Sequence, residues 1–507
     1  MRRHDCPASR RKPPSTPQRP PTNISKIKSG APPNVKHKNS EQLSTTEKIG
    51  YGLGDCAANF VFFTQMVFLF DYYTEVLRLS PLHVGSIFLF SRLWDAVNDP
   101  LMGGLADRTK SRWGKYRPWI LATAVPFAIL FVLAYTTPDW GYTARLIWAI
   151  VTYNALMMMY TVNNVPYSAL TGVMTGDISE RASLVQWRFV MAMTAQFLVG
   201  AYTMTLVARF GGVDDAGEVM DPARGYQLTI ALWAVLMAVF LLITFLTTRE
   251  RIAPAPQQKT SVWGDLTDLT KNRNWVVLAL ATVLVFISLA MRGGSTLPFF
   301  RYYVVGDTVL GFQKSTDQLV GWFNGLSTAM AILGVLLSKS LAMRFGKRNV
   351  YRASLALSAV CILVFYMLPA TAITPMFATQ YLMQFIYGVS IPLLWAMMAD
   401  VADFTEWKLS RRATAMTFAA TVFALKLGLS LGGALQGYIL SLHGYEADAV
   451  QTPLARSGLA QVMSLYPALA FLAAAVLLLF YQIDRQTEYD MHDELTARRE
   501  ATVAPSA

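Results

Sequence analysis

Long apolar stretches separated by short polar connections dominate the chain from residue 49 onwards. Twelve can be drawn, each about 20 residues long, the length that an α-helix needs to cross a bilayer. The pattern therefore predicts an all-α polytopic membrane protein with twelve transmembrane helices. The predicted spans are Ile49–Tyr73, His83–Leu105, Pro118–Thr137, Leu146–Leu170, Leu184–Ala208, Gln227–Thr247, Trp275–Phe300, Leu319–Ala342, Val350–Leu368, Pro375–Ala399, Thr414–Leu440 and Ala460–Tyr481.

The polar segments predict how the spans are grouped. Residues 1–45 are rich in Pro, Lys, Arg and Ser, which is typical of a disordered basic tail. The polar segment 249–274 divides the spans into two sets of six, and a basic turn with Gly-Lys follows the second and the eighth span. We expect two six-helix bundles, at 46–248 and 275–482, with 249–274 as a cytoplasmic linker and 483–507 as a C-terminal tail.

Composition and charge agree with a membrane protein. Hydrophobic residues make up 53%, charged residues 15%, and the mean hydropathy is +0.34. Lys and Arg concentrate in the N-terminal tail and the even-numbered connections, so both termini are expected in the cytoplasm. The net charge of +12 is spread over short loops, which favours topology over nucleic-acid binding.

No motif of a known enzyme class is present. The cysteines, Cys6, Cys56 and Cys361, lack metal-ligand spacing, and the sequence contains no CxxC, HExxH, Walker loop or GxSxG elbow. We therefore expect neither enzymatic activity nor a cofactor.

Two aspartates within the second span are the strongest functional signal. Asp95 and Asp99 are four residues apart, so they share a helix face and could bind one cation, such as Na⁺, or share protons. An ionised carboxylate at bilayer depth costs roughly 3 kcal/mol or more, so such residues are functional by default. Lys426, near the middle of the eleventh span, is the expected counterion. A purely structural ion-pair network is the alternative.

Five sequence motifs together resemble the glycoside-pentoside-hexuronide cation symporters of the major facilitator superfamily. They are YGLGD (Tyr51–Asp55), RLWDAVNDPLMG (Arg92–Gly103), RWGKYRPW (Arg112–Trp119), YTVNNVPYSAL (Tyr160–Leu170) and ADVADFTEWK (Ala399–Lys408). The resemblance implies a bacterial inner-membrane carrier that moves a saccharide together with Na⁺ or H⁺ by rocking its two bundles. It also implies that Asp95, Asp99 and Lys426 form the coupling-cation site.

The resemblance further implies a substrate pocket. Arg188 matches an arginine associated with the sugar site, whereas Asn59 and Asn164 stand where a melibiose-transporting member has sugar-binding aspartates. Ser168 stands where that member has a sugar-stacking tryptophan, so melibiose itself is not the expected substrate. Arg292 is added because guanidinium groups suit sugar hydroxyls or a uronate carboxylate.

Charged residues after the second and tenth spans are candidates for a cytoplasmic gate. Ion pairs between the two sets would hold the inner side shut in the outward-facing state. The candidate gate residues are Asp107, Arg108, Arg112, Lys115, Arg117, Asp403, Glu406, Lys408 and Arg412.

Two other functions remain open at this point. One is a facilitator or exporter of a non-sugar amphiphile, and the other is a membrane sensor that does not transport. The sequence leaves open the saccharide, the choice between Na⁺ and H⁺, the direction of transport and the oligomeric state.

Overall fold

The computed structural model describes residues 42–175, 177–214, 219–251, 269–306, 308–309, 312–313, 315–409 and 414–503. Six long helices come first: α1 (Thr45–Asp71), α2 (Pro81–Arg108), α3 (Arg117–Ala134), α4 (Tyr142–Met174), α5 (Ile178–Gly211) and α6 (Pro222–Thr247). A π-helical turn, Tyr72–Val76, continues α1. Ser44 begins α1 with a capping box to Glu47, and Pro81 and Pro222 occupy first turns, where their missing N–H costs nothing.

The second part of the chain repeats this arrangement. Its helices are α7 (Arg273–Tyr302), α8 (Thr316–Phe345), α9 (Lys347–Met367), α10 (Ile373–Leu409), α11 (Thr414–Leu442), α12 (Pro453–Ala460), α13 (Tyr466–Leu477) and α14 (Arg485–Val503). A π-helical turn, Gln461–Leu465, joins α12 to α13, so that the two act as one span. A small antiparallel hairpin of β1 (Thr308–Val309) and β2 (Phe312–Gln313) lies between α7 and α8.

The helices have the dimensions of a membrane protein. Within the described ranges, eleven are long and apolar enough to cross a bilayer. The second long helix, α2, has a shorter apolar stretch, Pro81–Ser91, before its sequence turns polar at Arg92. The all-α membrane prediction is confirmed, and α2 is the span that carries the charged sequence.

Contacts within each part and between the parts build the bundle. In the first part, α1 packs on α5 and α6, and α3 packs on α4 and α6. In the second part, α7 packs on α11 and α13, and α8 packs on α10. Between the parts, α5 contacts α8, α2 contacts α11, and α1 contacts α7. We refer to the parts before and after residue 260 as the first half and the second half.

Glycines let α8 and α10 approach closely. A Cβ atom on Gly388 of α10 would lie 2.2 Å from the backbone oxygen of Ala331 in α8. A Cβ atom on Gly334 would lie 2.1 Å from the backbone oxygen of Phe385. Both positions therefore require a residue without a side chain, as is common where membrane helices touch.

We predict that Gly388→Ala destabilises the protein, because the new methyl group forces α8 and α10 apart. The expected loss is about 1–3 kcal/mol, the usual penalty of overpacking. It is measured as a lower thermal midpoint of the detergent-purified protein. Gly172→Ala is the control, since nothing lies within 4 Å of its Cβ position; equal midpoints for the two variants would contradict the packing argument.

Candidate functional site

An ion pair between the halves lies at the centre of the candidate site. Lys426 of α11 donates through Nζ to Oδ2 of Asp99 in α2. Thr161 of α4 donates to the other carboxylate oxygen, with 2.8 Å between Oγ1 and Oδ1. The Asp99 and Lys426 side chains are 29% and 19% exposed. The structure thus brings together the aspartate and the lysine that the sequence pairs, and it adds a hydroxyl from a third helix.

The second predicted carboxylate of this site is described only in part. Asp95 lies on α2 one turn before Asp99, and its side chain is outside the described part of the structure. Nδ2 of the neighbouring Asn98 is buried without a hydrogen-bond partner among the described residues. Those residues contain no group of three acidic, His or Cys side chains placed to hold a metal ion. The coupling-cation site at Asp95 and Asp99 therefore stays a prediction.

An arginine that packs on a pair of stacked tyrosines forms the second part of the site. The guanidinium of Arg188 lies 5.0 Å from the ring centre of Tyr167 and pairs with Asp55, with 3.3 Å between Nη2 and Oδ1. Tyr167 stacks on Tyr51 at a centroid distance of 4.8 Å, and its hydroxyl donates to the Tyr51 backbone oxygen. The aromatic face and the carboxylate together hold the guanidinium in place. The Arg188 side chain remains 24% exposed, so part of its donor set is available to a ligand.

Amide side chains extend this arginine site along α1 and α5. Nδ2 of Asn59 donates to the backbone oxygen of Asp55 at 2.8 Å, and Nε2 of Gln196 donates to Oδ1 of Asn59 at 3.0 Å. Asn164 on α4 accepts from the Ser168 hydroxyl at 3.5 Å. The group offers both donors and acceptors, as sugar hydroxyls require.

Two residues of the site were not predicted. Gln196 lies eight residues after Arg188, and Thr161 lies three residues before Asn164, so each shares a helix face with a predicted residue. This helical periodicity was the signal from which the two residues could have been predicted. It also means that one face of α4 presents both the Asp99 ligand Thr161 and the amide Asn164.

Arg292 lies apart from the other predicted substrate residues. Its Nη1 donates to the backbone oxygen of Met463 at 2.6 Å, and its Nη2 donates to Oε1 of Gln380 at 2.5 Å. Pro467, four residues after Met463, has no N–H, so this oxygen has no α-helical donor. Arg292 donates to this oxygen instead of the missing N–H and is almost fully buried. These contacts are structural and lie within the second half; a substrate contact for Arg292 stays a prediction.

The predicted cytoplasmic gate residues of the first half are tied to their own half. The Glu250 carboxylate accepts from the backbone N–H groups of Lys115, Tyr116 and Arg117, and the Arg117 guanidinium donates to the backbone oxygen of Phe245. The Arg112 guanidinium lies 4.6 Å from the ring centre of Trp113, and Arg108 is exposed.

In the second half, the Lys408 ammonium lies 3.7 Å from the ring centre of Trp407, and Asp403 and Glu406 are half-buried on α10. The Asp107 side chain and the whole of Arg412 are outside the described residues. The proposed pairing of these two segments across the halves stays a prediction.

A largely buried polar cluster, which was not predicted, joins the halves at the predicted periplasmic end. We call it the periplasmic cluster; it consists of Asp71, Glu75, Tyr226, Arg301, Tyr302, Tyr445 and the backbone N–H of Asp448. Asp71, at the end of α1, is fully buried and pairs with Arg301 of α7, with 2.9 Å between Oδ1 and Nη1.

Glu75 is the second acid of the periplasmic cluster. It accepts from the hydroxyl of Tyr302 at 2.6 Å, from the Tyr445 hydroxyl, and from the backbone N–H of Asp448 at 3.1 Å. Its partners belong to α7 and to the segment after α11. The first half is therefore fastened to the second at this end of the bundle.

Comparison with known proteins identifies the family of this chain. The family model described as MFS/sugar transport protein matches residues 50–485. The chain belongs to the glycoside-pentoside-hexuronide symporter family of the major facilitator superfamily. It is 37% identical over 439 residues to the inner membrane symporter YicJ of Escherichia coli (strain K12), a match that covers 86% of this chain and 92% of the relative. It is 30% identical over 456 residues to the isoprimeverose transporter of Lactiplantibacillus pentosus, covering 90% and 91%.

Solved structures agree on the fold of this family member. The nucleoside transporter NupG matches with a TM-score of 0.60 at 16% identity, covering 86% of this chain and 98% of that chain. A D-xylose-proton symporter matches with a TM-score of 0.56 at 12% identity, covering 85% and 95%. At these identities the likeness concerns the fold alone. Together with the apolar helices, the relatives identify the chain as an integral inner-membrane protein.

We predict that Arg301→Gln loosens the closed periplasmic end, because it leaves the buried Asp71 without its counterion. Breaking a buried ion pair costs about 3–5 kcal/mol, so the closed state should lose population. The reporter is Met66→Cys, which lines a small cavity at this end, in a background without the native cysteines. Labelling by a membrane-impermeant maleimide should become at least about tenfold faster.

Arg78→Gln provides the matched control for this measurement. Arg78 also pairs with an acid at this end, Asp448, but both side chains are more than half exposed. Such surface pairs contribute about 0–1 kcal/mol, so labelling should stay near the rate of the parent. Equal rates for Arg301→Gln and the parent would contradict a closing role for the cluster.

Proposed function

We propose that this protein is a secondary active transporter that carries a saccharide together with Na⁺ or H⁺ by alternating access. The observation that carries the proposal is the Asp99–Lys426 ion pair, which joins the two halves beside the Arg188 and Asn59 groups. The proposed substrate class is a glycoside, pentoside or hexuronide. No chemical conversion of the substrate and no cofactor belong to the proposal.

The proposed coupling follows from charge compensation at Asp99. Without a cation, the Lys426 ammonium neutralises the carboxylate across the halves. When Na⁺ or a proton occupies the carboxylate site, that compensation is no longer needed and Lys426 must find another partner. Since a charge left alone at this depth is costly, only the empty and the fully loaded carriers change conformation readily.

The proposed saccharide site consists of Arg188, Asn59, Gln196 and Asn164. Arg188 in turn packs on the stacked rings of Tyr51 and Tyr167. Amides and a guanidinium can bond several hydroxyls at once, and Arg188 would also suit an acidic sugar. The names of relatives support this class: one is an isoprimeverose transporter, one a glucuronide carrier protein homolog, and one a putative sulfoquinovose importer of Escherichia coli.

The proposed cycle uses both ends of the bundle. The periplasmic cluster fastens the halves on one side, while on the other side the charged segments around 107–117 and 403–412 would pair in the opposite conformation. Both termini would then lie in the cytoplasm. The partners of the carrier are a small saccharide, the coupling cation and the lipid bilayer; no nucleic-acid partner is proposed.

A second candidate function is a facilitator or exporter of a non-sugar amphiphile. A cavity of about 950 Å³ favours it, because its lining from α5, α8 and α10 is mainly apolar. Lys339, Lys347, Arg485 and Glu488 also line it. A carrier of this kind would not accumulate sugar when a gradient of Na⁺ or H⁺ is imposed.

We predict that proteoliposomes accumulate at least one of isoprimeverose, a methyl glucuronide and sulfoquinovose when a Na⁺ or proton gradient is imposed. Asp99→Asn should abolish the accumulation, because the coupling charge is gone, yet retain exchange of the sugar across the membrane. Radiolabelled uptake measures both. Accumulation by Asp99→Asn at the unaltered level would refute the coupling role, and the absence of gradient-driven uptake of any sugar would refute the function.

We also predict that Arg188→Lys weakens saccharide binding by about tenfold, because a lysine cannot both stack on Tyr167 and present a planar fork of donors. Isothermal titration calorimetry on the purified protein measures the dissociation constant. Arg209→Lys, at the exposed end of the same helix, is the control. An unchanged dissociation constant for Arg188→Lys would exclude Arg188 from the saccharide site.

A further inference from the structure

Two buried glutamines, one from each half of the transporter, line the same cavity. Gln65 of α1 is 9% exposed and Gln436 of α11 is 1% exposed. In both, the Nε2 group is buried and has no hydrogen-bond partner among the described residues. A buried amide donor without a partner is destabilising, so its presence calls for a ligand or an ordered water.

Both glutamines line a single cavity between α1, α2, α4, α7 and α11. The rest of its lining is mainly apolar and includes Phe62, Phe88 and Tyr153. Its volume is about 50 Å³, which is enough for one or two groups the size of a water molecule but too small for a sugar ring. An apolar pocket with a few convergent polar groups is the usual form of a binding subsite.

A glycine in α7 keeps the Gln436 amide in place. A Cβ atom on Gly294 would lie 2.4 Å from Oε1 and 2.9 Å from Nε2 of Gln436. The amide therefore lies flat against the helix, and any side chain at position 294 would push it out. Gly294 also lines the cavity, so one helix both shapes the space and orients the donor.

The position of the cavity links it to the proposed saccharide site. Gln65 follows Asn59 by six residues, about 9 Å along α1, and Asp71 of the periplasmic cluster follows by six more. On α11, Gln436 lies ten residues beyond Lys426, about 15 Å along the helix. The cavity is thus situated between the saccharide groups and the closed periplasmic end.

We propose that Gln65 and Gln436 form a specificity subsite that binds one terminal hydroxyl or hydroxymethyl group of the saccharide. This proposal rests on the function proposed above. One donor comes from each half, so the subsite is complete only when α1 and α11 are close. A saccharide that places a hydroxyl there satisfies both buried donors, and one without that hydroxyl leaves them unpaired. Selection among sugars is therefore made at this end of the site.

Calorimetric binding tests the subsite with the member of the panel that the unaltered protein binds: isoprimeverose, a methyl glucuronide or sulfoquinovose. Gln65→Leu and Gln436→Leu should each raise the dissociation constant by about tenfold, because each removes a hydrogen bond to the sugar. Gly294→Ala should give a similar loss by displacing Gln436. Gln227→Leu is the control, since its amide is bonded to Thr136 outside the cavity.

Deoxy analogues of the same saccharide separate binding from a structural role. For the analogue that lacks the bound hydroxyl, the leucine variants and the unaltered protein should bind equally. Variants that remain folded and bind the parent sugar with unaltered affinity would overturn the subsite and leave the proposed function intact. The subsite would also be overturned, with the proposed function intact, if the substitutions weakened the binding of every deoxy analogue equally. An unaltered protein that binds no sugar of the panel would overturn both.

If the glutamine-to-leucine variants do not fold, Gln65→Met and Gly294→Ala take their place. Thermal midpoints of the purified proteins establish folding before binding is measured. A tenfold weakening by Gly294→Ala with a preserved midpoint supports the subsite, and unaltered binding by this variant together with Gln65→Met contradicts it.

Discussion

The cost of a charge in the membrane determines how the polar parts of this transporter are arranged. Among the described residues, three ion pairs lie within the bundle: Asp99 with Lys426, Arg188 with Asp55, and Asp71 with Arg301. The first and the third of these pairs join the two halves of the bundle, and the second lies within the first half. Separation of the halves at the first or the third pair leaves charges without a counterion, which is costly unless another group replaces the lost partner. These pairs therefore oppose movement of the halves.

The periplasmic cluster and the central ion pair differ in what can replace the missing partner. Asp71 is fully buried, and its hydrogen bonds come from the protein itself, so separation there requires water to enter. Asp99 and Lys426 are partly exposed, so a cation from solution can reach the carboxylate. This difference supports the proposed ion exchange at the centre of the bundle and the proposed role of the cluster as a closing contact.

The helices and the central ion pair could be predicted from the sequence, because both depend on local pattern and on charge. The length of the apolar stretches predicts the spans, and two acids within one span need a cation from another, which led from Asp95 and Asp99 to Lys426. The contacts of Gln196 and of the periplasmic cluster around Asp71 could not be predicted in this way, because their partners lie on other helices. Spacing fixes the face of a helix on which a residue lies, but only the packing of all the helices determines what that face meets.

Arg292 illustrates the same limit from the opposite direction. By sequence it resembles Arg188, an arginine within a span, and its guanidinium was predicted to contact the substrate. In the fold, its guanidinium is held by a backbone oxygen that Pro467 leaves without a donor and by the amide of Gln380. Arg292 is almost fully buried, whereas Arg188 is held by a side-chain carboxylate and remains partly exposed. Of the two arginines, Arg188 is therefore the better candidate for the proposed saccharide site.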